Sequence, residues 1–226
     1  MSVAHKLEAL RARIEGAAKR SGRDGKDVIL VAVTKGAPAE AVREAMAAGL
    51  TVFGENKVQE AQGKIPEVGT GPEWHMVGHL QSNKVKSALE LFTLIHSVDS
   101  VKLAKNLSVA ASLENKTASI LLEINISGEA QKYGFAPEEI YGAVDLVAAL
   151  PSLKVLGLMG MAAVGTDPRP KREAFRILRN LFSVCKSLKY PSVEMRHLSM
   201  GMSDDFEIAI EEGSNMVRIG RVLFKS

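Results

Sequence analysis

Short apolar runs and amphipathic stretches alternate along this chain from end to end, and that alternation limits the available folds more than any other feature. Asp27–Thr34 (DVILVAVT) is rich in Val and Ile and lacks the polar alternation of a half-exposed strand. Such a run reads as a strand buried on both faces, as in a parallel sheet. Pro38 then opens a helical stretch that ends at Gly49, with proline in front and glycine behind as helices prefer. The pair recurs. Further strands are predicted at Thr51–Phe53, Trp74–Val77, Phe92–Val98, Ser119–Ile126, Leu153–Met159, His197–Met200 and Met216–Ile219. Helices are predicted between them at Val58–Lys64, after Ser82, around Val101–Val109, from Pro137, over Arg172–Leu188 and around Asp204–Glu212. Ahead of the first strand, Val3, Leu7, Leu10, Ile14 and Ala17 recur at helical spacing and mark an extra N-terminal helix. Strict βα alternation implies a parallel sheet. Eight such units without a linker or composition break point to one (β/α)8 TIM barrel formed by residues 1–226 as a single domain. An open doubly wound sheet is the alternative.

Composition narrows the function classes. With 46% hydrophobic and 24% charged residues the chain is neither disordered nor a coiled coil. The lone cysteine, Cys185, has no internal partner, which points to a reducing compartment; it lies on the apolar stripe of Arg172–Leu188 and is expected in the core. The amino terminus is charged throughout, without the apolar segment of a signal peptide. No stretch approaches the roughly 18 apolar residues of a membrane span. A net charge of +3, short basic clusters, three tyrosines and one tryptophan offer nucleic acid neither a strong field nor a stacking platform. The basic residues of Lys171–Lys189 fit the solvated face of a helix. The expectation is a cytoplasmic protein, and a monomer, because the outer faces carry no evident apolar stripe.

Active sites of such barrels lie at the carboxyl ends of the strands, and there Lys35 stands out. It follows the first buried run, where partial desolvation would lower its pKa and free the amine to attack a carbonyl; a lysine snorkelling to solvent is the other reading. The last two loops, HLSMGMSDD (His197–Asp205) and MVRIG (Met216–Gly220), place glycine and hydroxyl residues just beyond strands. Ser199, Gly201, Ser203 and Gly220 suit a phosphate cradle of backbone N–H groups. Ordinary turns and a Ser203 helix cap would explain them equally. His75 and His79 lack the glutamate of a zinc-protease helix, and no Walker loop, dinucleotide-binding glycine motif or nucleophile elbow is present.

Taken together, VAVTK ending at Lys35, FGENKVQE (Phe53–Glu60), WHMVGHLQSNK (Trp74–Lys84), NIS (Asn125–Ser127), GLMGM (Gly157–Met161), LSMGMSDD and MVRIG resemble, in order, the YggS/PROSC family of pyridoxal 5′-phosphate homeostasis proteins. The resemblance covers nearly the whole chain. It implies a barrel like the N-terminal domain of alanine racemase, with pyridoxal phosphate held as a Schiff base on Lys35. It also implies that Arg218 faces the pyridine nitrogen, that Ser199 and the backbone of Gly220 and Arg221 hold the phosphate, and that Asn56 lies near the ring. Two positions depart from the family pattern: Arg221 replaces a usual threonine, and His79 a usual proline.

The resemblance favours a protein that holds the cofactor and hands it to apo-enzymes. An amino-acid racemase would need a base on each face of the bound substrate. Alanine racemase draws its second base, a tyrosine, from a further β domain that this chain is not expected to have, and Tyr133, Tyr141 and Tyr190 have no evident place at the barrel mouth. A cofactor-free aldolase normally carries its lysine on a late strand, whereas Lys35 ends the first.

Overall fold

In the computed structural model, which describes residues 2–129 and 131–224, eight strands follow one another round a closed barrel in chain order. They are β1 (Ile29–Val33), β2 (Val52–Glu55), β3 (Glu73–Met76), β4 (Leu94–Val98), β5 (Ala118–Ile124), β6 (Leu153–Gly160), β7 (Val193–Ser199) and β8 (Met216–Ile219). Closure is made by β8 on β1, with Leu30 opposite Val217 and Val31 opposite Arg218. The doubly wound alternative is excluded. Helix α1 (Val3–Arg20) precedes the barrel, and α2 (Ala39–Ala47), α3 (Val58–Val68), α4 (Val85–Leu91), α5 (Val101–Leu113), α6 (Ile140–Ala148), α7 (Pro168–Ser187) and α8 (Phe206–Glu211) connect the strands. A short α9 (Arg221–Phe224), absent from the sequence reading, follows β8. Among the described residues no helix is long and apolar enough to cross a membrane.

Side chains alternate between the lumen and the helical shell, as the pleat requires. Val31, Val77, Leu94, Leu121, Met159 and Met216 form a separate apolar cluster inside the barrel. Their neighbours Ala32, Phe53, Trp74, Ile95, Leu122 and Val217 pack outward against the helices. Each fully buried large side chain in these layers contributes roughly 1.5–3 kcal/mol. The inner layer is not wholly apolar: His75, His96, Glu123, Ser199 and Arg218 share the inward parity and are all buried. Cys185 is buried among the shell residues as expected, and burial pushes its thiol up to about 11.

Several element boundaries differ from the sequence reading, three of them with a side-chain cause. β7 begins at Val193, not His197, because Glu194 and Arg196, which break the apolar pattern, point outward; Glu194 pairs with Lys154 of β6 at 2.9 Å. α7 begins at Pro168, with Asp167 accepting from the Arg169 amide as cap. α8 begins at Phe206, and it is Asp205 rather than Ser203 that stands at its cap position, accepting from the Met202 amide at 2.7 Å. The basic face of α7 is also not simply solvated. Arg172 bonds Glu211 at 2.6 Å and Glu212 at 2.7 Å, and Arg176 bonds Glu212 at 3.0 Å, tying α7 to α8. From the other side α1 reaches the same helix through Arg13–Glu207 (3.0 Å) and Arg20–Glu211 (2.7 Å).

Candidate functional site

The carboxyl ends of β1, β2, β6 and β8 surround a cavity of about 580 Å³, whose wall includes Lys35, Asn56, Met161, Ser203, Arg218 and Gly220. Lys35 is placed by its neighbour. Thr34 is fully buried, its hydroxyl donates to Glu55 Oε1 at 2.5 Å, and its carbonyl accepts from Lys64 Nζ at 2.6 Å. The chain then turns through Gly36 at φ 71°. Lys35 itself is exposed at the cavity wall, rather than enclosed in the barrel mouth as a desolvated amine would be. On the far side Gly220 lets the end of β8 approach β1, since a Cβ there would lie 2.8 Å from the Val33 carbonyl oxygen.

Beneath the cavity sits Arg218, only 5% exposed. Its Nη1 donates to Ser199 Oγ at 2.6 Å and its Nη2 to the Gly160 carbonyl at 3.1 Å. Both acceptors are neutral. Burial pulls its pKa down to about 10, with Glu123 and Asp205 pulling the other way, so the guanidinium keeps its charge at neutral pH. A buried cation whose direct partners are neutral is expensive unless an anion or electron-rich ligand completes it. Burial likewise pushes the Glu123 carboxyl up to about 7, with Asp99 adding to the rise and Arg218 opposing it.

The predicted residues are brought together with one exception. Lys35, Asn56, Arg218, Gly220 and Arg221 all line the cavity. Ser199 does not: it is fully buried below the wall, its hydroxyl committed to Arg218 and to His96 Nδ1 at 3.1 Å. Ser203 takes the wall position instead. Among the described residues, the amides of Ser203 and Gly220 on the cavity wall, and of Asp204 next to Ser203, have no backbone acceptor. Arg221 is exposed, and its Nη2 pairs with Asp204 Oδ2.

Sequence reasoning missed two groups. His96 is the inward polar residue of β4, two positions after the lumen residue Leu94, and a parity count along LIHSV would have found it. Tyr133, unplaced from sequence, stacks on His79 with ring centroids 3.8 Å apart, and His79 Nδ1 lies 3.0 Å from Asp99 Oδ2. No local pattern announces that contact, because its members come from three different loops. Among the described residues no group of three or more His, Cys, Asp or Glu stands together as metal ligands would.

The profile of the family described as alanine racemase, N-terminal domain, matches residues 6–226. The pyridoxal phosphate homeostasis protein of Pseudomonas aeruginosa is 43% identical over 224 residues, 99% of this chain and 95% of that protein. The chain belongs to the pyridoxal phosphate homeostasis protein family. The Aquifex aeolicus member is 40% identical over 225 residues, 99% of this chain and 98% of its own. Among solved structures, PipY of Synechococcus elongatus PCC7942 with PLP bound matches at a TM-score of 0.86 and 33% identity, covering 99% of this chain and 100% of that one. Alanine racemase of Clostridium difficile 630 shares the fold, at a TM-score of 0.71 and 14% identity, over 98% of this chain and 55% of that one.

Proposed function

We propose that this protein binds pyridoxal 5′-phosphate in the cavity between β1 and β8 and serves to hold and deliver it in the cytoplasm. The observation that carries the reading is Arg218: a buried guanidinium with two neutral partners, on the wall of the same cavity as Lys35. When bound, the cofactor supplies an aldehyde, a weakly basic ring nitrogen and a phosphate dianion. Lys35, on the cavity wall, would supply the amine for that aldehyde. Arg218 presents N–H donors to the ring nitrogen and disfavours its protonation. The open amides of Ser203, Asp204 and Gly220 receive the phosphate, Arg221 stands beside them, and Asn56 flanks the ring. Ser199 contributes through Arg218.

The family membership and the PLP-bound PipY structure support this reading. Racemisation needs a second base opposite Lys35, and no Tyr, His or Cys is among the described residues that wall the cavity. In this reading the recipients are PLP-dependent apo-enzymes and the working unit is a monomer. The test is the visible absorbance of the purified protein loaded with PLP, before and after borohydride reduction, with peptide mapping. A yellow protein that bleaches and leaves a pyridoxyl group on Lys35 is expected; a colourless one that takes up no PLP sinks the reading. Turnover of an amino-acid panel well above the rate with free cofactor would replace the holder by an enzyme.

A further inference from the structure

We propose that the barrel lumen carries a one-directional hydrogen-bond chain, Arg218 to Ser199 to His96 to His75, which holds Arg218 in its pose under the cavity and makes His96 a positioning residue. The inference rests on the reading of the cavity as a PLP site for its consequence, though not for its geometry. Arg218 Nη1 lies 2.6 Å from Ser199 Oγ, His96 Nδ1 lies 3.1 Å from the same oxygen, and His96 Nε2 lies 3.1 Å from His75 Nδ1. Exposure of the four residues is 5% or less.

Direction follows from donor chemistry. A guanidinium can only donate, so Ser199 Oγ accepts from it and must send its own hydrogen elsewhere. The acceptor in reach is His96 Nδ1. His96 therefore carries its proton on Nε2 and gives it to His75 Nδ1, which leaves the His75 proton on Nε2. Beyond it, Glu73 Oε2 at the start of β3 lies 3.9 Å from His75 Nε2, outside hydrogen-bond distance. Each link fixes the next because both rings are neutral: burial brings His75 down to about 4 and His96 well below the ordinary histidine range, with the neighbouring charges adding to the fall. A protonated His96 would turn a donor toward Ser199 and set a second cation against Arg218. Gly160 supplies the other tether of Arg218, and without the Ser199–His96 arm the guanidinium keeps one fixed point instead of two.

Two measurements test this. Nitrogen NMR of the cofactor-free protein at neutral pH should show His75 and His96 as neutral Nε2–H tautomers, with His96 losing that preference in Ser199→Ala. A charged ring, or His96 protonated on Nδ1, overturns the chain. In the PLP-loaded protein, His96→Leu should shift the visible band and weaken PLP binding by about two- to tenfold, the scale of one lost neutral hydrogen bond. His96→Gln, whose amide oxygen can accept from Ser199, should recover most of both. The effects of His96→Leu and Arg218→Leu should be strongly non-additive. A folded His96→Leu protein with wild-type spectrum and affinity, or additive effects, overturns the positioning role. If the wild type binds no PLP, the functional reading fails while the tautomer result still decides the chain.

Discussion

The α7–α8 seam and the floor of the cavity are both organised by arginine, and they treat its charge in opposite ways. At the seam, Arg172 faces two carboxylates, and Glu212 gathers Arg172, Arg176 and, at 3.6 Å, Arg179. Every charge there has found its opposite. On the cavity floor Arg218 is more deeply buried, yet its direct partners are a hydroxyl and a carbonyl. A paired network has nothing left to offer a ligand, whereas a buried cation with neutral partners does. The difference separates a surface that holds the fold together from one that holds a cofactor.

The sharpest break is Lys35→Ala. Covalent attachment should vanish completely, with no borohydride-trapped pyridoxyl group, while the Arg218 floor and the amides retain noncovalent affinity measurable by equilibrium dialysis. Arg218→Met should come next: PLP affinity falls about tenfold or more, since bonds to charged groups contribute about 1.5–3 kcal/mol. The urea midpoint of the cofactor-free protein should stay level or rise, because an apolar side chain removes a buried charge. Glu212→Gln should do the reverse, lowering stability by roughly 1–3 kcal/mol with PLP affinity unchanged. If both variants moved both readouts, the two regions would not be separable.

The pH dependence sharpens the same contrast inside the barrel. The folded-state pKa of His75 is depressed from 6.5 to about 4, so its stabilisation is present above 6.5 and lost as pH falls toward 4. Glu123 is raised from 4.5 to about 7, so its contribution is present below 4.5 and lost as pH rises through 7. Urea midpoints of the cofactor-free protein should therefore show a shallower acid limb in His75→Gln and a shallower neutral limb in Glu123→Gln. The smallest expected effect is at the rim. Asp204→Asn frees Arg221 and should tighten PLP binding by about two- to threefold, the scale of an exposed ion pair, with pyridoxal, which lacks the phosphate, unaffected.

Much of this was readable in the residues because it is encoded locally. DVILVAVT and SILLEINI announce buried strands by composition over a few positions, and the end of the first such run puts Lys35 on the rim. β7 was harder: Glu194 and Arg196 disguise its first half, because their outward charges pair with each other and with Lys154 only once β6 lies alongside. Ser203 fits either a phosphate cradle or a helix cap by sequence; Asp205 occupies the cap position and leaves Ser203 on the cavity wall.

By itself, then, the sequence determined the order of the βα units, the strand ends on which chemistry could sit and the lysine most suited to an aldehyde, because hydrophobic period and chain direction are properties of neighbouring residues. Only the tertiary structure decided that Ser199 serves Arg218 and His96, the latter 103 positions away, rather than the cavity. It also decided that Tyr133 lies on His79, and that the direct partners of Arg218 are neutral while Arg172 faces carboxylates. Those outcomes depend on which strand faces which across a closed barrel, and that register is set by the packing of the whole lumen.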